Sequence, residues 1–203
     1  MLRGNYGRLQ EHISQYWLIY LTISGVYLAG LIFGIFGVGA LGSAEVIRLT
    51  EFVDGLLKNQ LQALDPVFLK MLARDTLILM GGIWLLGLTV VGTPLIYLII
   101  FTRGFILGFT VSFLLGVKGA AGAILVLITI VIPALLHIPL LFAGAALAMM
   151  FSILLLRGKA RGESLGREFL RYTLAALIVG CGAVLTGIAQ GYFSVLGVHF
   201  IGL

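Results

Sequence analysis

The charged residues of this chain are so clustered that five intervals, 12–44, 76–102, 104–117, 119–156 and 172–203, contain no Asp, Glu, Lys or Arg. Four of them exceed the roughly 20 apolar residues that cross a hydrocarbon core as a helix. A backbone in lipid must satisfy its own hydrogen bonds, which makes the helix the natural spanning element for runs of this length. Hydrophobic side chains make up 61% of the 203 residues and charged ones 10%, against roughly 25% charged in soluble chains. The sequence therefore predicts one all-α integral membrane domain over 1–203. A soluble enzyme, a disordered tail and a disulfide-built secreted module are excluded, the last because Cys181 is the one cysteine.

The net charge is +5, yet no basic run is interleaved with stacking aromatics outside the apolar spans, so nucleic acid is not an expected partner. The bases flank membrane segments instead, as Lys and Arg do on the cytoplasmic side. After an N-terminal tail over 1–15, the first span runs from about Tyr16 to Ala40, too long for the apolar region of a cleaved signal. The polar segment 45–75 repeats Leu49, Val53, Leu56 and Leu57 at helical spacing, with Glu45, Arg48, Glu51, Asp54 and Lys58 largely opposite. It reads as an amphipathic extramembrane helix that either rests on the bundle or offers its apolar face, Leu49, Val53, Leu56 and Leu57, to a partner.

A second span is expected from about Thr76 to Ile100, interrupted by Arg103. The stretch 104–117 has 14 residues, about 21 Å of helix against a core of roughly 30 Å. The next interval, 119–156, has 38 residues and must bend, and Pro133 and Pro139, bracketing His137, are the expected break. A basic loop, 157–171, holds Arg157, Lys159, Arg161, Arg167 and Arg171 and is read as cytoplasmic. The last span is about Tyr172 to Val195. The expected architecture is thus a bundle of about five transmembrane helices with one broken or re-entrant Pro-containing segment. Five crossings with a cytoplasmic N-terminus and six with the opposite orientation both place 157–171 inside.

Gly30 with Gly34 and Gly187 with Gly191 have the four-residue spacing that lets helix backbones approach, as do Gly104 and Gly108. These pairs also fit helix-mediated self-association into a homo-oligomer. Gly37, Gly39 and Gly42 match a dinucleotide fingerprint in spacing alone, since they end a lipid-spanning helix rather than follow a strand. No Walker loop, metal-spaced His and Glu pair or nucleophile elbow is present, so no cofactor, metal or catalytic residue is assigned. His137 lies deep in an uncharged span, where a neutral imidazole can bond a carbonyl freed by a proline or mark a functional site. Arg103 reads as an interface anchor. No Asp or Glu falls within a predicted span, which weighs against ion-coupled transport.

Gly81 to Gly122, with Gly92-Thr93-Pro94 and the Arg103-Gly104-Phe105-Ile106-Leu107-Gly108-Phe109-Thr110 run, resembles the central region of the stage II sporulation protein M family. The likeness continues through Ile132-Pro133 and His137-Ile138-Pro139 to Phe151-Ser152. It departs at Ala134 and Leu135, where the family tends to carry polar amides. The resemblance implies a non-enzymatic multi-pass membrane protein of endospore-forming bacteria, located at the sporulation septum and engulfing membrane. It implies as partners two cell-wall hydrolases, the stage II sporulation proteins D and P, that act in septal thinning and engulfment. The inferred role is a membrane scaffold that recruits and localises them. On this reading Arg103, Gly104 and Gly108 set bundle geometry and Pro133, His137 and Pro139 form the broken segment. The alternative is a small permease or channel using the broken helix around His137.

Overall fold

The computed structural model describes residues 3–60, 66–89, 91–156 and 163–201, with side chains over 17–55 and most of 70–156 and 165–190. The described residues are almost entirely helical: α1 (Arg3–Gly39), α2 (Ser43–Gln60), α3 (Pro66–Gly87), α4 (Gly92–Val126), a π-turn (Leu127–Val131), α5 (Ile132–Leu156) and α6 (Glu163–Ile201). Four stretches are long and apolar enough to cross a membrane: Trp17–Gly39, Gly92–Val117, Thr129–Leu156 and Leu165–Gln190. The first agrees with the predicted first span to within a residue or two.

The predicted second span is two helices, not one. The chain turns between α3 and α4, with Leu88 N–H donating to Leu85 O (3.1 Å), Thr89 N–H to Leu86 O (3.0 Å) and Gly92 N–H to Thr89 O (3.2 Å). A side chain at Gly92 would collide with the Leu86 carbonyl, so the turn depends on glycine there. Pro94 follows in the first turn of α4, where a missing N–H leaves no bond unmade. This division also removes the difficulty over 104–117, because that stretch is the second half of α4 and Arg103 sits in mid-helix rather than between spans.

The long interval 119–156 does break, but upstream of the prolines. Gly119 adopts φ 56°, ψ −131°, a left-handed geometry that favours glycine, and interrupts α4. The π-turn Leu127–Val131 follows. Such a turn is a recognised cause of helix bending. From Ile132 the helix then runs without interruption through Pro133 and Pro139 to Leu156.

Helix directions follow from paired contacts. Gly30 and Gly34 of α1 abut Phe101 and Phe105 of α4, while Gly104 and Gly108 abut Tyr27 and Leu31. Both series rise together, so α1 and α4 are parallel. Gly144 faces Val179 and Gly182 faces Leu140, which makes α5 and α6 antiparallel. Gly144 also meets Met80, and Gly87 meets Ala148, so α3 runs with α5. Between the parallel α1 and α4 the chain must come back through the bundle, and α3 is that return.

The core lies where these five helices meet, around Ile23, Ile83, Ile96, Ile100, Leu141, Ala145 and Met149. Three polar bonds tie it at one end. Ser152, fully buried, donates to Thr89 O (2.9 Å) and accepts from Thr93 Oγ1 (3.3 Å). Tyr172 donates to Trp84 O (2.9 Å) and stacks on Phe151 with ring centroids 4.4 Å apart. Exposed large apolar residues such as Phe33, Phe36, Leu98, Ile178 and Leu185 form the outer surface, as expected for faces that meet lipid.

Candidate functional site

Inside this apolar bundle is a cleft of about 330 Å³ that receives residues from all five long helices. That volume is at the lower end of small-molecule sites, roughly 300–1,000 Å³. Its polar lining is Asp75 and Thr76 from α3, Arg103 and Thr110 from α4, His137 from α5 and Gln190 from α6; Tyr27 of α1 and Gly187 of α6 complete the wall. Arg103 lies about 15 Å along α4 from Thr93, and Asp75 about 18 Å along α3 from Gly87, both near the middle of a roughly 30 Å core. Ionisable groups at that depth are rare and face a bundle interior or cavity. Arg103, exposed on α4, also lines the wall of the cleft.

Asp75 corrects one expectation. It closes the polar segment in sequence and so reads as extramembrane, but α3 begins at Pro66 and carries it more than two turns along the helix to the cleft, where its exposed side chain lines the wall with Arg103. The two form no direct ion pair, although Asp75 is the carboxylate whose field acts on the guanidinium.

His137 has a different partner from the one expected. Its Nδ1 lies 3.1 Å from Thr186 Oγ1, which also lies 2.9 Å from Ala183 O. Which of the two atoms donates across the contact with His137 follows the imidazole tautomer. No carbonyl freed by a proline is involved. Pro133 is fully buried and Pro139 exposed, so Pro133 and His137 share one side of the continuous helix α5 while Pro139 lies on the other, and the three do not form a break.

The four glycines Gly30, Gly34, Gly104 and Gly108 converge on a single α1–α4 seam at backbone contact. Gly187 is buried in α6 at the cleft. Gly191 lies beyond the side chains described, as do Leu56 and Leu57. Of the proposed partner face, Leu49 is half-buried and Val53 packs against the cluster of Leu114 and Val126. The apolar side of α2 thus rests on the bundle because that is where its hydrophobic area leaves solvent. Among the described residues, the large apolar side chains that α2 exposes are Ile47 and Phe52, with Arg48 and Glu51 beside them.

Sequence reasoning missed Asp75, Thr186 and Gln190. The signal for the last two is present: Thr186, Gly187 and Gln190 recur at helical spacing on one side of the last span. Among the described residues no group of His, Cys, Asp and Glu could hold a metal ion.

A bundle of long apolar helices around a mid-depth polar cleft defines the class: a multi-pass helical membrane protein. The family model for stage II sporulation protein M matches residues 23–195. That stretch takes in every helix of the bundle, and the chain belongs to this family, as its central motifs implied. It is a sporulation-related membrane protein from a family not known for enzymatic activity. No curated protein and no solved structure matches the chain.

Proposed function

We propose that this protein is a non-catalytic membrane scaffold that recruits and localises cell-wall hydrolases, of the stage II sporulation protein D and P kind, for septal thinning and engulfment. The observation that carries this reading is the family match over 23–195, which spans the whole bundle. Helix directions support it. With α1, α4 and α6 running one way and α3 and α5 the other, the start of α1 and the start of α6, which carries Arg167 and Arg171, lie at one end of the bundle. The bias of Lys and Arg assigns that end to the cytoplasm. Helix α2 then lies on the outer face, where wall-cutting enzymes work.

Ile47→Asp with Phe52→Asp is expected to abolish copurification with a hydrolase while the protein stays inserted, because it alters only the outward side of α2. Val53→Asp should instead loosen α2 from the bundle, costing about 2 kcal/mol or more for a buried unpaired polar group. Unchanged copurification of the Ile47/Phe52 variant would sink the docking surface.

The orientation has its own test. In a Cys181→Ser background, Glu51→Cys should react with an impermeant maleimide on intact protoplasts and Arg167→Cys only after lysis. The reverse pattern would invert the protein and remove α2 from the hydrolases' side.

The cleft favours one second reading, a small permease or channel, because Asp75, Arg103 and His137 share a cavity within the spans. Solute flux in proteoliposomes, lost in His137→Ala, would replace the scaffold reading.

A further inference from the structure

The charges in the cleft are balanced in sign but not joined. Arg103 and Asp75 line its wall at one depth from neighbouring helices, yet they do not pair with each other. Both side chains stay exposed on the cleft wall rather than enclosed, and charges carried on membrane-spanning segments are costly unless something answers them. A bare anion would suit Arg103 and be repelled by Asp75, and a bare cation would meet the opposite problem. A ligand carrying both signs a few bonds apart answers both. His137 lines the same cleft from α5, with its Nδ1 held against Thr186 Oγ1 at 3.1 Å.

The same two charges also line a shallower opening between α3 and α4, beside Ile78, Gly82 and Ile99. Ile78 is 61% exposed there, on a surface that lipid covers. A headgroup can therefore enter from the side while its acyl chains stay in the bilayer.

We infer that the cleft binds a zwitterionic phosphoethanolamine-type group, with its anion on Arg103 and its ammonium on Asp75. The chemistry is shared by a phosphatidylethanolamine headgroup and by free phosphoethanolamine, and the lateral opening favours the lipid. The site is independent of hydrolase docking.

The test is native mass spectrometry of the delipidated full chain in detergent, titrated separately with phosphatidylethanolamine, phosphatidylglycerol and soluble phosphoethanolamine. One phosphatidylethanolamine should be retained per chain, with affinity lowered about tenfold or more by Arg103→Gln and by Asp75→Asn, the loss expected for one charge-assisted contact. Uptake of phosphoethanolamine with the same dependence on both residues, and none of the lipid, would support the same site with a soluble ligand. Phosphatidylglycerol binding as tightly as phosphatidylethanolamine, or lipid binding indifferent to both substitutions, overturns the inference. Should either variant fail to fold, Thr110→Cys in the Cys181→Ser background decides. Its maleimide labelling should be suppressed by phosphatidylethanolamine and not by phosphatidylglycerol, and equal labelling in both overturns the site.

Discussion

Gly34→Leu or Gly104→Leu is expected to eliminate the folded bundle. A side chain at Gly34 would enter the space of the Phe105 carbonyl and Phe109 amide, and one at Gly104 would overlap the Tyr27 carbonyl. Overpacking against side chains costs about 1–3 kcal/mol because rotamers can shift. Here the obstacles are backbone groups of a facing helix, which cannot move without separating α1 from α4 along the whole seam. The loss should therefore exceed about 3 kcal/mol and remove the monodisperse species in detergent. Gly25, on the same helix, lies in open space, and a β-carbon added there would meet nothing within 4 Å. Gly25→Ala should be neutral or slightly stabilising, since alanine favours a helix over glycine by roughly 0.5–1 kcal/mol. A cooperative melt of Gly104→Leu at the wild-type temperature would refute the seam.

Ser152→Leu is expected to produce the next largest loss. Ser152 is fully enclosed, and its hydroxyl joins α5 to the turn that separates α3 from α4. Removing it strips a bond from the Thr89 carbonyl and the acceptor of Thr93, a change of about 1–3 kcal/mol for buried groups. The added leucine volume has no space beside Ala148 and Met149, both buried, and brings a further 1–3 kcal/mol or so of overpacking. The sum, about 2–6 kcal/mol, should lower the thermal midpoint in detergent by several degrees and open the turn to proteolysis. Ser152→Ala should show only the hydrogen-bond part. Thr102→Ala is the comparison: its hydroxyl bonds Leu98 O within α4 at an exposed position, so its loss should stay within about 0.5 kcal/mol. If Ser152→Leu melts with Thr102→Ala, the buried hydroxyl does not hold the turn.

The placement of Asp75 shows where reading a sequence by charge reaches its limit. An uncharged interval reports where lipid can lie, and it locates the first span to within a residue or two. The last helix, however, begins at Glu163, so Arg167 and Arg171 of the expected basic loop are helical and the apolar stretch is Leu165–Gln190 rather than Tyr172 to Val195. Such an interval cannot report where a helix begins, and α3 begins at Pro66, ten residues before the charge-free interval that opens at Thr76. The turn at 88–91 is hidden for the same reason, since it is built of uncharged residues; Gly92-Thr93-Pro94 is the local sign of it. His137 stands out as an intramembrane imidazole, but its partner Thr186 is 49 residues away. Val53 reads as part of a partner face because periodicity identifies an apolar side of α2 without saying what covers it.

What the residues determine alone is the solvent: runs of uncharged side chains commit the chain to helices in lipid, because each helix satisfies its backbone locally and a hydrocarbon core rejects charge at every position independently. Helix pairing, the parallel α1–α4 seam and the meeting of Asp75, Arg103 and His137 depend on which distant faces touch. Those contacts are settled by backbone approach at Gly30, Gly34, Gly104 and Gly108 and by shape across the core, both properties of the assembled bundle and of no single segment.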